Sequence, residues 1–188
     1  MKKVLLLWCI TFSVFGFSQN IQSEIENQFR EYNTLMIDRD FEKAIDTYAN
    51  EDFLKIFSKE QMIALMNQMF NSKDSEFKIH MPKEIVVSDT VIEDQGKKYV
   101  KINYEQYLDA KFDAPGIKPQ DLLKALQSEF GLNNVVYNQN SGFYEIKASK
   151  VAVANSSDSK NWKFTLLEKK QIPILMKFIP ESFLRSLN

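Results

Sequence analysis

Apolar residues recur at helical intervals from Ile21 onward, so that Ile21, Ile25, Phe29, Tyr32 and Met36 share one face. Asp38-Arg39-Asp40 interrupts that face, and Phe41, Ala44, Ile45 and Tyr48 form a second, shorter one. Asn50-Glu51-Asp52 breaks the pattern again before the run Phe53-Leu54-Lys55-Ile56-Phe57. Ser58, with Gln61 three residues on, matches a capping box that opens a third helix. Met62, Leu65, Met66 and Met69 then make one stripe. Such a stripe is either core or an adaptable methionine surface, and its spacing is that of a buried face.

After Asn71 the period shortens to two. Phe77-Lys78-Ile79-His80-Met81 alternates, Ile85 to Ile92 is rich in β-branched residues, and Asp94-Gln95-Gly96 reads as a turn. On the next strand Val100, Ile102, Tyr104, Gln106 and Leu108 lie on one side. Lys101, Asn103, Glu105 and Asp109 lie on the other, which is therefore wet. The stretch from Asp113 to Pro119 is a loop, and Asp121 to Phe130 a short helix stopped by Gly131. Val135-Val136-Tyr137, Phe143 to Ala154 and Trp162 to Leu166 are strands, separated by turns at Asn138 to Gly142 and Ser156 to Lys160. The tail from Ile172 to Leu187 is apolar, with Ile179, Phe183, Leu184 and Leu187 on one helical face. Helices segregated from a run of antiparallel strands predict an α+β fold. Three N-terminal helices pack on the sheet, with one inserted helix and an apolar C-terminal tail.

The first residues have a different character. Lys2 and Lys3 precede the apolar run Val4 to Val14, which is shorter than the ~20 residues a membrane-spanning helix needs. Gly16-Phe17-Ser18 follows with small residues at the first and third positions. That is the layout of a secretory signal over residues 1–18, cleaved before Gln19, which leaves residues 19–188 as a single exported domain in the periplasm or beyond. Cys9, the one cysteine, lies inside the apolar run after Trp8, so the mature chain forms no disulfide, thiolate metal site or lipid anchor.

The formal charge of -1 becomes -3 once Lys2 and Lys3 are removed, which leaves no basic excess to collect phosphates and disfavours nucleic acid. The chemistry-bearing residues are few. A Ser-His-Asp arrangement needs a histidine as proton carrier, and only His80 is present. Five scattered glycines form no dinucleotide or phosphate loop. Asp38-x-Asp40-x-Glu42 imitates the start of a calcium loop, but Lys43 stands where its glycine belongs. No catalytic set, metal site or cofactor is expected. Gln106 interrupts an apolar face, so its amide and the Tyr104 hydroxyl are candidates for ligand binding. They either meet a ligand or bond each other, the backbone or water. Tyr144 and Trp162 are further candidates for the wall of a site, or else core aromatics. Asp89-Thr90-Val91 resembles an Asp-Thr-aliphatic O-glycosylation signal of some exported bacterial proteins.

The helix pair broken at Asp38-Arg39-Asp40-Phe41, the third helix at Ser58 to Phe70, the strand ending Trp162-Lys163-Phe164 and the tail prolines Pro173 and Pro180 together resemble the nuclear transport factor 2-like superfamily. The resemblance covers nearly all of residues 19–188. It implies a cone, in which a curved sheet wraps a long helix and leaves a cavity. The superfamily holds ketosteroid isomerase-like and polyketide cyclase-like enzymes as well as members without catalysis. Its enzymes place an Asp base, often with Tyr, Asp or His, on the cavity wall, and no such set can be matched here residue by residue. Three functions are thus expected in order. The first is a non-catalytic domain that binds a small apolar or amphipathic ligand or acts as an interaction module. The second is an isomerase or cyclase with a cavity carboxylate, and the third a structural module plugged by its own tail.

The exported protein is expected to start at Gln19. Intact-mass measurement checks this, and a retained Met1 removes the export reading.

Overall fold

The structure, a computed structural model, describes residues 21–113 and 115–185; the leader 1–18 and Leu187 lie outside them. Helix α1 runs from residue 21 through 37. Arg39 then takes a left-handed backbone (φ 62°), and Asp40 caps α2 (Phe41–Tyr48) by accepting from the Lys43 amide at 3.3 Å. Those two residues turn the chain, and α2 buries Phe41, Ala44, Ile45 and Tyr48 as its spacing predicts. Asn50 caps the one-turn helix α3 (Glu51–Leu54). The capping box of α4 (Lys59–Phe70) is made in both directions, Gln61 N–H to Ser58 Oγ at 3.2 Å and Ser58 N–H to Gln61 Oε1 at 3.1 Å.

Six strands form one antiparallel sheet: β1 (Ser75–Ile79), β2 (Lys83–Asp94), β3 (Lys97–Phe112), β4 (Val135–Asn138), β5 (Phe143–Ser156) and β6 (Lys163–Leu167). Gln95 and Gly96 both sit at positive φ, the two-residue turn that matches strand twist, and they close the β2–β3 hairpin. β3 and β5 pair without a slip from Lys98↔Ser156 to Ala110↔Tyr144. β1 and β2 follow one another along the outer edge of β3, and β4 and β6 do so along β5, so the sheet is four strands wide.

Side-chain alternation divides the sheet into two faces. On one face Val100, Ile102 and Tyr104 of β3 with Ala152 and Ala154 of β5 meet α1 and α2. The two alanines are wholly buried and let α1 approach closely. The Phe29 ring meets Tyr104 at 5.0 Å and Phe164 at 5.2 Å, both edge-on. Further along the same face α5 (Pro119–Phe130) covers Leu108, Ala110, Tyr144 and Ile146. Pro119 begins this helix two residues earlier than Asp121, and Gly131 ends it at φ 102°.

The tail holds α6 (Ile172–Leu175) and α7 (Glu181–Arg185), and it lies on the opposite face. Leu175, Ile179 and Phe183 are buried there against Tyr99 and Val153. Phe183 is therefore buried as a plug would require, yet the sheet separates it from α1. Mixed helices and an antiparallel sheet make the fold α+β, as the patterning implies.

One expectation is corrected. The Met62–Met69 stripe of α4 is not core: Leu65 is 67% and Met69 44% exposed, and of the whole helix only Phe70 is buried. The spacing marks an apolar face, and here much of that face is left open.

Phe183→Ala is expected to cost about 3–5 kcal/mol, the usual range for emptying a fully buried phenylalanine site. Urea unfolding measures it, and a loss below about 1 kcal/mol would show the tail lies outside the cooperative unit.

Candidate functional site

The residues picked from sequence do not converge. Tyr104 is 5% exposed, and burial pushes its hydroxyl well above the ordinary tyrosine range. Gln106 Nε2 donates to the carbonyls of His80 (2.9 Å) and Tyr107 (3.0 Å), so its amide bonds the backbone. Tyr144 donates to the Pro119 carbonyl at 3.0 Å and lies ring to ring with Tyr137 at 4.7 Å, pinning the start of α5. Trp162 is 1% exposed, and its backbone N–H donates to Gln28 Oε1 at 2.9 Å. Its indole Nε1 has no partner among the described residues. Tyr104 and Trp162 belong to the α1 cluster, whereas Tyr144 belongs to the α5 cluster.

The ionisable candidates lie on the face away from α1. Glu105 Oε2 pairs with Lys147 Nζ at 2.6 Å, which holds its carboxyl below the ordinary range. His80 Nε2 meets Asp109 Oδ2 at 2.9 Å. Asp40 is spent as a cap. Asp89-Thr90-Val91 is exposed on β2, where the register slips between Val87 and Val91. Among the described residues no three His, Cys, Asp or Glu side chains gather as metal ligands.

A different site emerges where α4 stands off the body of the protein. The helix is anchored at both ends. Lys59 Nζ reaches Glu42 (3.0 Å) and Asp46 (2.8 Å) on α2, and the Phe70 ring meets Phe41 (5.5 Å) and Phe77 (6.4 Å). Between the anchors its apolar face roofs two adjoining hollows, of about 220 and 270 Å³, that share Phe53, Met62, Met66 and Gln171.

The smaller hollow is completed by Phe57 and Leu65 and by Ile174 and Leu175 of the tail. Tyr32, Met36, Ala44 and Ile45 form the inner wall of the larger one, and Thr165 and Leu166 of β6 form a side. Asn50 lies at the wall of the larger hollow. Its Oδ1 accepts the Asp52 N–H at 2.9 Å and its Nδ2 donates to Asn155 Oδ1 at 2.9 Å. Those two hydrogen bonds hold the point where the chain leaves its Ala49 bridge to β6 and turns into α3. Asp52 then holds α3 to the start of β3 through Lys97 Nζ at 2.7 Å.

Among the described residues, neither hollow is lined by a carboxylate, histidine or lysine. The polar groups are neutral. Among the described residues Thr165 Oγ1 is buried without a partner, and the Tyr32 hydroxyl bonds none of them. Desolvation pushes Tyr32 up to about 12, so it stays a neutral donor at ordinary pH. An apolar recess with a few neutral hydrogen-bonding groups suits binding. None of its described lining groups changes protonation near neutrality. The methionine stripe was the one trace of this site in the sequence; the contribution of β6 left none.

Two outcomes follow from this geometry. Leu65→Ser is expected to change stability by no more than about 0.5 kcal/mol, since an exposed side chain has little to lose; urea unfolding checks it. Stability is also expected to hold up to pH 10 and then fall as pH climbs toward about 12. The unfolded tyrosine releases its proton at its ordinary value, below the folded one, so above 10 the unfolded state binds fewer protons and gains. Urea midpoints at pH 9 and 11, about equal, would contradict this.

Comparisons with protein families, with curated proteins and with solved structures return no match to this chain.

Proposed function

We propose that this chain is a non-catalytic binding domain whose site is the groove under α4, and that it takes an apolar or amphipathic ligand there. The carrying observation is the half-open methionine-lined recess, where Met62 and Met66 line both hollows while Leu65 stands 67% exposed at the rim. Methionine side chains adapt to differently shaped apolar guests. The unpartnered Thr165 hydroxyl and the neutral Tyr32 hydroxyl give an amphipathic guest somewhere to place a polar group.

Two leucine-sized groups buried in the hollows contribute about 3–6 kcal/mol. Association offsets several of these, so affinities no tighter than about micromolar are expected for a small guest. The isomerase or cyclase reading has less support. It needs a carboxylate beside an apolar wall, whereas Glu105 and Asp109 are tied to Lys147 and His80 on the opposite face.

We also read the chain as an exported member of the nuclear transport factor 2-like superfamily, with the sheet curved around α1 as a cone. Support comes from element order: the helices come first, α1 lies across one sheet face, and a tryptophan precedes the last strand. In that reading α1 fills the hollow of the cone and the open recess moves to its rim, under α4.

Titration with the fluorescent apolar probe N-phenyl-1-naphthylamine tests the binding reading. Saturable binding is expected, weakened at least about tenfold by Met66→Lys, a change of ~1.4 kcal/mol or more. No saturable binding would overturn it.

A further inference from the structure

The outer edge of β6 forms one side of the groove, and its neighbours fix which way its backbone groups point. The Trp162 N–H reaches Gln28 on α1 rather than β5, so it points outward. Phe164 makes a parallel bridge to Ala49, whose own N–H is already bonded to the Ile45 carbonyl. Phe164 therefore supplies the outward groups of that bridge. Backbone groups alternate sides along a strand, so Leu166 also turns its N–H and C=O outward. Past Phe164 the chain that bridged β6 has turned away at Asn50 into α3. The groups on Leu166 bond no other element among the described residues. Leu166 lines the larger hollow and is 42% exposed.

A strand edge left open beside apolar recesses has a specific complement. On the binding reading above, we propose that the occupant of this groove is an extended apolar segment of a partner protein, which docks as a seventh strand along β6. A strand added about 4.8 Å from β6 would lie in the plane of the sheet, with successive side chains pointing to opposite faces. The two hollows together reach both sides of that plane. Tyr32 and Ala44 in the larger belong to the α1–α2 side, Thr165 in the larger lies on the face of its pair partner Val153, and Leu175 in the smaller belongs to the tail side. Neighbouring side chains of the guest thus meet recess lining on either face, so the recognised segment is continuously apolar rather than alternating. It is also short, because the free edge runs only from Thr165 to Leu167. Main-chain bonds supply pairing, and the hollows supply selection for uncharged side chains.

The probe is a fluorescein-labelled peptide, acetyl-Thr-Val-Leu-Val-Thr-amide, followed by anisotropy. It is compared with two analogues N-methylated at complementary alternate residues. A docked strand bonds along one edge only. One analogue is therefore expected to lose affinity at least about tenfold while the other binds like the parent. Leu166→Pro, which removes the outward N–H at a position where edge strands tolerate proline, is expected to weaken the parent peptide at least about tenfold. Circular dichroism confirms folding of that variant, and the analogue pair tests the proposal if it does not fold.

Equal binding by both analogues, or no peptide binding while N-phenyl-1-naphthylamine still binds, overturns strand docking and leaves the groove a small-molecule site. A dimer by sedimentation whose dissociation alone admits the peptide also overturns it, by making a second copy the occupant. Failure of peptide and naphthylamine alike removes the binding reading itself.

Discussion

The continuous pairing of β3 with β5 is the constraint from which the rest of this structure follows. Over the run from Val100 to Tyr104 the ladder offers a wholly apolar surface to α1, and on its reverse Tyr99 and Val153 offer a second one to the tail. Where a strand pair is buried on both faces, as around Tyr99 and Val153, it cannot slip by one residue without exposing both cores at once. This explains why the β3–β5 register has no bulge while the edge strand β2 has two slips. Irregularity is tolerated where only one neighbour must be satisfied.

The same constraint leaves α4 with little to cover. α1 and α2 occupy the ladder at one end, α5 at the other, and the tail takes the reverse face. The helix is held by Lys59 at one end and Phe70 at the other, and its middle stands over the two hollows. The groove is then a consequence of architecture: an amphipathic helix retained by its ends over the edge of a sheet whose faces are already taken. Arg39 stands over the Phe70 ring at 5.6 Å, so even the buried anchor is shared with the turn that separates α1 from α2.

What the sequence shows of this fold depends on whether a residue's partner is near in the chain or is implied by periodicity. The alternation of Val100, Ile102 and Tyr104 identifies one face of β3, the capping box places the start of α4, and Asp94-Gln95-Gly96 announces a hairpin. All three are local. The burial of Tyr99 is not legible, because its cover comes from Phe183 and Ile179 far along the chain. The α4 stripe shows the opposite failure. Spacing reports that a face is apolar and says nothing of whether anything lies opposite it, so Leu65 reads as core and stands in solvent. Gln106 is conspicuous in an apolar row. The break between β1 and β2 leaves the His80 carbonyl beside it, and a partner set by strand interruption is invisible to periodicity.

The chemistry of the groove is bounded by which charges the fold has already engaged. Asp52 is held between Lys55 and Lys97, which keeps its carboxyl below the ordinary range and turns it toward the α3–β3 junction. Glu42 and Asp46 are committed to Lys59. These acids therefore serve as anchors for the helices that form the recess, and freeing one for proton transfer would loosen the wall it supports. What lies there instead is an open strand edge with its backbone groups and two neutral hydroxyls, that of Thr165 buried and without a partner among the described residues. A buried hydroxyl without a partner is costly by about 1–3 kcal/mol, and a main chain or a polar ligand group laid along β6 is the kind of guest that can relieve that cost.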